Sequence, residues 1–218
     1  MTSFRILIVS LSVSLICACS SKKALTDLNQ NPCANRIYDY SGQLACDGQT
    51  YPDPTSSPYV LPFPVGRKVM TGLTNCSSSF HGAQYPDRLA YDFNVKEGTP
   101  FYASRGGKVA LVIDDQPSGG GGDKAGNWVV IDHLDNTFGI YLHSPKNGIG
   151  VKEGDTIRQG DRLGIVGKSG YAGYPHLHFI VVKDGYSWPY DPIPITFSNV
   201  YPADVVLREK VEYTVCDY

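Results

Sequence analysis

The segment Tyr174-Pro-His-Leu-His-Phe-Ile-Val-Val182 is short and apolar, and one residue separates its two histidines, His176 and His178. Its Phe, Ile and Val residues favour a β-strand. On a strand, residues i and i+2 point to the same face of the sheet, so the two imidazoles are predicted to lie side by side. Neutral imidazoles can bind zinc or carry protons, and the pair is a candidate for both roles. Two partly exposed strand histidines without a function are the alternative.

The other apolar runs of the chain are also short, rich in β-branched and aromatic residues, and separated by Gly, Asp, Asn and Pro. The predicted strands are Gly107–Ile113, Asn127–Ile131, Phe138–Leu142, Arg162–Val166 and His176–Val182. No stretch has a helical period of useful length, and the prolines of residues 188–194 also argue against helix. The sequence therefore predicts an all-β domain with few or no helices.

The N-terminus has the pattern of an export signal. A short positive region, residues 1–5, precedes an apolar run, residues 6–18, that is too short to span a bilayer comfortably. Ile16-Cys-Ala-Cys19 resembles a bacterial lipobox, which predicts a signal peptide over residues 1–18 and lipidation of Cys19. Ser20, where an Asp would direct retention, favours a lipid anchor in the outer membrane facing the periplasm. An ordinary signal peptide is the alternative.

Four cysteines remain outside the signal, namely Cys33, Cys46, Cys76 and Cys216. An even number of cysteines in an exported chain predicts disulfides. Three pairings are possible; Cys33–Cys46 and Cys76–Cys216 are favoured, the second joining the C-terminus to the domain. A zinc-cysteine cluster is the alternative, but the chain has no Cys-x-x-Cys spacing.

Composition divides the rest of the chain into two parts. Residues 19–58 are polar and rich in Asn, Asp, Ser and Pro, which predicts a tether closed locally by a disulfide. Residues 59–218 are predicted to form the domain with a C-terminal extension. The 19 basic and 21 acidic residues nearly balance, and no basic run is present, so binding to nucleic acid is not supported.

The chain has five histidines, and their order suggests a hydrolase. His81 comes early and is followed by Asp92, which lies in the alternating segment Leu89–Val95 and should face away from the large apolar residues. His143 follows a predicted strand, and His176 and His178 come late. Three protein ligands would leave a fourth zinc position open for water.

Together these motifs resemble the lysostaphin/LytM-type zinc endopeptidases, which hydrolyse peptide bonds in bacterial cell-wall peptidoglycan. The resemblance covers roughly residues 59–183. Its matching segments are His81, Tyr91-Asp-Phe93, Gly98–Ala103, Gly126–Ile131, Tyr141-Leu-His143, Gly160–Gly164 and Gly170–Phe179.

The resemblance implies a mostly antiparallel sheet that forms an open groove, and peptidoglycan peptides as substrate. It also implies one zinc ion per chain, bound by His81, Asp92 and His178. His143 and His176 would be the catalytic histidines. We expect His176 to be the general base and His143 a stabiliser or acid, although the reverse order stays open.

One departure concerns the first metal motif. Many members of the family have three residues between the histidine and the aspartate, whereas ten separate His81 from Asp92 here. Asp87 is nearer and is an alternative ligand, but it follows a proline in a turn-like segment. Asp92 is preferred for its strand context. His133 has no role in this scheme and is expected to be a solvated histidine at a strand end.

Two other functions compete with an active endopeptidase. Some relatives are non-catalytic modules that regulate another hydrolase, but those typically lack metal ligands or catalytic histidines that this chain has. Zinc peptidases of the D-Ala-D-Ala type pair an early His and Asp with a late histidine. They carry helices and a glutamate near the last ligand, and no glutamate lies near residues 176–178.

Overall fold

The computed structural model describes residues 31–120 and 126–217, which form twelve β-strands. The strands are β1 Lys68–Thr71, β2 Tyr91–Asn94, β3 Pro100–Tyr102, β4 Gly107–Ile113, β5 Asn127–Asp132, β6 Thr137–Ser144, β7 Thr156–Ile157, β8 Arg162–Ile165, β9 Leu177–Lys183, β10 Asp191–Pro192, β11 Val200–Tyr201 and β12 Glu212–Val215. The only helix among the described residues is a single 3-10 turn, Pro54–Ser56. The predicted all-β class is confirmed.

The predicted signal peptide and its lipidation site, Cys19, lie outside the described residues. Export, lipid anchoring and placement in the outer membrane therefore stay predictions. Within residues 31–120 and 126–217, no helix has the length and apolarity needed to cross a membrane.

The strand that carries His178 lies inside a large antiparallel sheet. The strand order of this sheet is β11-β12-β1-β2-β9-β6-β5-β4-β7, with β10 paired to β9. Strands β3 and β8 form a separate two-stranded sheet. β9 pairs with β2 on one side and with β6 on the other. Six of its seven residues are buried. The continuous apolar run at 179–182 is explained by this central position, because a strand covered on both faces has no need for alternation.

The main core lies on one face of this sheet. Tyr91, Phe93 and Phe179 project into it and pack around Phe197 from the C-terminal part of the chain, and Tyr141 packs against Phe179. These rings are essentially inaccessible to solvent. Burial of an aromatic side chain of this size contributes on the order of 2–3 kcal/mol. The predicted alternation of Leu89–Val95 is confirmed here, since Asp92 projects from the opposite face.

The opposite face of the sheet carries a smaller apolar cluster. Its buried members are Ala90, Val130, Ile140, Leu142, Ile180 and Val182. Half-buried aromatic residues, among them Phe138 and Tyr186, pack over it and leave the end near Leu142 open. A groove therefore begins where this cluster ends.

The sequence patterns did not predict strands at the C-terminal end of the chain. β12 pairs with β1, and β11 pairs with β12, so the C-terminal extension completes one edge of the large sheet. These strands have only two to four residues and include exposed polar positions. Short edge strands carry too weak a hydrophobic pattern to be recognised without their partners.

The N-terminal part of the described chain, residues 31–58, packs against the domain. Tyr51 is buried in a cluster with Leu89 and Val205, and the Tyr38 hydroxyl donates a hydrogen bond to the Phe197 carbonyl at 3.1 Å. The Arg88 guanidinium is 2.8 Å from the Asp47 carboxylate. The prediction of a tether is thus wrong for residues 31–58, because buried aromatic side chains and these polar contacts fix the segment in place.

Both favoured disulfide pairings are also wrong. Cys33 is bonded to Cys216, and Cys46 is bonded to Cys76, with Cα–Cα distances of 5.5 and 5.7 Å. Packing of residues 31–58 on the domain brings each N-terminal cysteine beside a distant partner. Closeness in the sequence therefore did not predict which cysteines pair.

The pairing can be checked by peptide mapping under non-reducing conditions, which should recover peptides that link Cys33 to Cys216 and Cys46 to Cys76. Replacing Cys46 and Cys76 together by Ala should lower the free energy of unfolding by roughly 3 kcal/mol, because their bond closes a loop of about 30 residues in the unfolded chain. Urea denaturation measures this loss. Recovery of a Cys33–Cys46 peptide from native protein would contradict the fold of residues 31–58.

His133 is buried, which corrects the expectation of a solvated side chain. Its side chain is 6% exposed, its Nδ1 lies 3.0 Å from the Thr137 hydroxyl, and its ring makes an edge contact with Tyr59. Burial, assisted by the nearby Arg105 guanidinium, lowers the pKa of His133 to about 4. The residue is therefore neutral in the folded protein and lies outside the groove.

This depressed pKa makes stability depend on pH. An exposed histidine titrates near 6.5, so His133 is protonated below that pH in the unfolded state. In the folded state it stays neutral down to about pH 4. The contribution of His133 should be complete above pH 6.5 and should fall by up to roughly 3 kcal/mol as the pH drops to 4. Urea denaturation at pH 7.5, 6, 5 and 4 should show a smaller loss in His133→Gln. Parallel pH profiles for the two proteins would contradict this account.

Candidate metal centre

The register of three neighbouring strands creates the centre of the site. In the antiparallel pairing, Asp92 of β2 lies directly opposite His178 of β9, and Leu142 of β6 lies opposite His178 on the other side. Side chains of directly paired residues project to the same face. The Asp92 carboxylate and the His178 imidazole therefore meet, and His178 Nδ1 is 2.9 Å from Asp92 Oδ1.

His81 reaches the same point from the loop between β1 and β2. Its Nε2 atom is 3.5 Å from Asp92 Oδ1, and its ring makes an edge contact with the ring of His178 at a centroid distance of 5.2 Å. All three side chains are buried. The ten residues between His81 and Asp92 thus form a loop that returns to the sheet, and the long spacing does not separate the two groups.

These three residues fit a metal ion. One donor atom from each of His81, Asp92 and His178 lies within 4.8 Å of the other two. Two imidazoles and a carboxylate form a usual donor set for zinc, whose bonds of about 2.1 Å place ligand atoms roughly 3.4 Å apart. The 3.5 Å between His81 and Asp92 matches this spacing. The 2.9 Å between Asp92 and His178 is a hydrogen-bond distance, so these two groups would separate by about 0.5 Å around an ion.

His143 joins the site through an irregularity in β6. Along a regular strand, His143 would point to the face opposite Leu142, into the main core. The pairing of β5 with β6 shifts register between Asn127 and Trp128, and His143 has a left-handed backbone with a φ of 76°. A bulge of this kind redirects a side chain. It brings the His143 ring to 4.6 Å from that of His176, on the groove side.

Backbone carbonyls orient both of these histidines. His143 Nδ1 is 2.9 Å from the Ser169 carbonyl, and His176 Nδ1 is 2.9 Å from the Tyr174 carbonyl. A carbonyl oxygen can only accept, so Nδ1 carries the proton in both rings. In the neutral form the lone pair of each ring is then on Nε2. His176 Nε2 lies 3.6 Å from Asp92 Oδ1, beside the three candidate ligands.

The support beneath His143 is closely packed. The backbone N–H of Asn127 donates to the Ser169 hydroxyl at 2.9 Å, and that hydroxyl donates to the Ser144 carbonyl at 2.6 Å. Gly126 has a φ of 84°, and a Cβ at this position would lie 2.6 Å from the Ser169 carbonyl carbon. Glycine is therefore required there, both for its backbone conformation and for the close approach.

The four histidines of the site differ in their pKa values. Burial lowers the pKa of His81 to about 4 and that of His143 to about 3, and it also lowers the pKa of His176. These three rings are neutral near pH 7, as metal binding and proton transfer require. Burial opposes charge on His178 as well, but Asp87 and Asp92 outweigh it and raise its pKa to about 10.

The carboxylate at the centre stays ionised. Burial alone would raise the pKa of Asp92, but the surrounding imidazoles, above all His178, lower it to about 2. A buried, ionised carboxylate is suited to a cation, because a divalent ion compensates its charge.

A second group of donor atoms shares His178. One donor atom from each of His143, His176 and His178 also lies within 4.8 Å of the other two. This group has no carboxylate, whereas the group with His81 contains the ionised Asp92. The charge of a divalent cation therefore favours the group with His81 and leaves His143 and His176 as neighbours of the ion.

The five groups lie at the base of an open groove with a volume of about 810 Å³. Its walls are largely aromatic, with Phe80 against Tyr171 in an edge contact and Trp188 against Tyr190 in another. Phe80, Tyr171 and Trp188 are each more than half exposed. No lysine or arginine is among the described residues that line the groove.

The structure brings all five predicted site residues together, although their individual roles stay predictions. Asp87, the alternative ligand, lies on the other side of His178, 3.5 Å from Nε2. Sequence patterns missed the aromatic walls and the carbonyls of Ser169 and Tyr174. Every residue has a carbonyl, so no pattern of side chains could have indicated which two would orient the histidines.

Comparison with known proteins gives a consistent assignment. The sequence model of peptidase family M23 matches residues 88–192. The peptidoglycan DD-endopeptidase ShyA of Vibrio cholerae is 37% identical over 120 residues, which cover 55% of this chain and 25% of that protein. The L-Ala–D-Glu endopeptidase of Bacillus subtilis is 32% identical over 110 residues, covering 46% of this chain and 34% of that protein. This chain thus spans between a quarter and about a third of these curated relatives.

Among solved structures, lysostaphin from Staphylococcus simulans aligns with a TM-score of 0.44 and 24% identity, covering 57% of this chain and 47% of that one. Asp92, His143, His176 and His178 fall inside the matched residues 88–192, and His81 precedes them. Residues 88–192 of this chain therefore match peptidase family M23.

Proposed function

We propose that this protein is a zinc-dependent endopeptidase that hydrolyses peptide bonds in bacterial cell-wall peptidoglycan. The observation that carries the proposal is the convergence of five groups at the base of one groove. Three of them, His81, Asp92 and His178, form a compact donor set. The other two, His143 and His176, have Nδ1 tied to a carbonyl and Nε2 unused by that bond.

His81, Asp92 and His178 would hold the zinc ion. Zinc bound by three protein ligands supplies Lewis-acid chemistry, because it polarises a substrate carbonyl and makes water more acidic, toward a pKa of about 7. The protein itself contributes a rigid donor set whose three side chains are buried and whose open side faces the groove.

His176 is the proposed general base. Its Nε2 lone pair lies beside the donor set, 3.6 Å from Asp92 Oδ1, and its ring is held by the Tyr174 carbonyl. It would take a proton from the attacking water and pass it to the leaving amine. His143 would act as an acid only after it gains a proton on Nε2, because its Nδ1 proton is already donated to Ser169. General acid–base catalysis of this kind contributes about 10²–10⁴-fold in rate.

The groove is compatible with an extended peptide. It is open, it passes directly over the donor set, and exposed aromatic side chains form its walls. The names of the two curated relatives refer to different bonds, a DD bond and an L-Ala–D-Glu bond. The proposal therefore covers cross-links and stem peptides, and the fragments released from defined sacculi would identify the bond.

The main test uses the purified full-length protein. We expect it to bind about one zinc ion per chain, to release peptides from sacculi, and to lose that activity with a chelator and regain it with zinc. His178→Ala should abolish both properties, whereas His133→Gln, which changes a buried histidine outside the groove, should keep both. Zinc content by mass spectrometry and fragment release by chromatography are the measurements. Unchanged zinc content and activity in His178→Ala would refute the proposal.

If wild-type protein bound zinc but left every sacculus intact and instead stimulated an amidase, the regulatory alternative would hold. A fragment analysis with and without chelator therefore separates the enzyme from a non-catalytic module.

A second test separates ligands from catalytic histidines. His143→Ala and His176→Ala should keep zinc within a few-fold of the wild-type affinity and lose activity by about 10²–10⁴-fold. Zinc affinity by chelator competition and initial rates on sacculi are the measurements. Loss of zinc in both variants, with zinc retained in His81→Ala, would instead place the ion on the group formed by His143, His176 and His178.

A further inference from the structure

Two carboxylates contact the same imidazole from different sides. Asp92 Oδ1 is 2.9 Å from His178 Nδ1, and Asp87 Oδ1 is 3.5 Å from His178 Nε2. The His178 side chain is 10% exposed and that of Asp87 is 23% exposed, so both lie in a partly dry part of the groove. Asp87 comes from the ten residues between His81 and Asp92, a segment with no other assigned role in the site.

The geometry of His178 determines which nitrogen must carry a proton when a metal is bound. His81 and Asp92 converge on the Nδ1 side of the ring. A metal held there needs the Nδ1 lone pair, and the neutral imidazole then has its proton on Nε2. Nε2 points toward Asp87, whose carboxylate is an acceptor only.

The fold holds Asp87 in this place. Its carbonyl accepts a hydrogen bond from the Ala90 N–H at 2.9 Å, which closes the turn that leads into β2. The next residue, Arg88, is fixed by its contact with Asp47 at 2.8 Å, and its carbonyl accepts from the Cys76 N–H at 2.7 Å. The Cys46–Cys76 disulfide joins these two contacts. The N-terminal segment thus anchors the turn that carries Asp87.

We propose that Asp87 is a positioning residue that accepts a hydrogen bond from His178 Nε2–H and thereby directs the Nδ1 lone pair of His178 toward the metal. The present distance is slightly longer than a standard hydrogen bond, and a shift of about 0.5 Å would close it. Carboxylates that orient a metal-bound histidine in this way contribute about 10–100-fold to metal affinity. This role differs from that of a ligand, because Asp87 contacts the nitrogen that does not face the donor set.

The inference rests on the proposed function, and zinc affinity tests it without any assay of turnover. Full-length wild type, Asp87→Ala, Asp87→Asn and Asp87→Glu are titrated with zinc against a chromophoric chelator. Asp87→Ala should bind zinc about 10–100-fold more weakly. Asp87→Glu, which keeps the carboxylate on a longer side chain, should recover most of the affinity, and Asp87→Asn should lie between them. Glu97→Gln, a charge change at an exposed site, should bind like wild type.

Nitrogen NMR of the zinc-loaded protein distinguishes this hydrogen bond from a purely structural role of Asp87, which would leave the His178 Nε2–H signal unchanged. The Nε2–H of His178 should give a slowly exchanging signal in wild type and Asp87→Glu, and this signal should be lost or exchange faster in Asp87→Ala. Equal zinc affinity in wild type and Asp87→Ala would overturn the inference. A loss of zinc affinity as large as that of Asp92→Ala, titrated in the same way, would also overturn it, because Asp87 would then be a ligand.

The two proposals fail in different ways. If wild type binds no zinc, the proposed function itself is wrong. If wild type binds zinc and cleaves sacculi while Asp87→Ala binds zinc equally well, only the role of Asp87 is wrong.

Discussion

The backbone register between β2, β9 and β6 is the constraint on which the site depends. Ladder hydrogen bonds place Asp92 and Leu142 on either side of His178. His176, which immediately precedes β9, lines the same groove. A slip of one residue in either pairing would move His178 to the opposite face, into the aromatic core. The large buried rings around Phe197 make that slip costly, since each would become exposed to water. Packing of the core thus protects the geometry of the site.

The four histidines of the groove differ in the groups that contact their ring nitrogens. Backbone carbonyls hold Nδ1 of His143 and His176, which leaves Nε2 of each ring with a lone pair. Carboxylates flank both nitrogens of His178. A neutral imidazole has one donor and one acceptor nitrogen, so the partner of one nitrogen decides the chemistry of the other. In the proposed mechanism, this difference gives proton transfer to His143 and His176 and metal binding to His178.

The ends of the described chain support the site from a distance. The C-terminal strands β11 and β12 complete the sheet beside β1, and the Cys33–Cys216 bond joins them to the N-terminal segment. That segment in turn contacts Arg88 and, through the Cys46–Cys76 bond, the loop that leads to His81. Loops that carry functional side chains are intrinsically more mobile than strands. Cross-links to a packed segment reduce that freedom near the candidate metal centre.

Sequence patterns were enough to predict the strand class, the shared face of the His176–His178 pair, the face to which Asp92 points and, with the resemblance to a known family, five candidate site residues. The strand class and the faces follow from the period of two, which is a local feature of the chain, whereas the five candidate residues follow from the motifs that resemble the family. The disulfide partners, the burial of His133, the short strands at the C-terminal edge and the side of His178 that Asp87 contacts became visible only in the folded protein. The direction of the His143 side chain also depends on the tertiary structure, because a bulge with positive φ turns that ring from the core to the groove. Such features depend on which distant segments pack together and on which backbone carbonyls lie nearby, and neither is encoded in a local pattern of side chains.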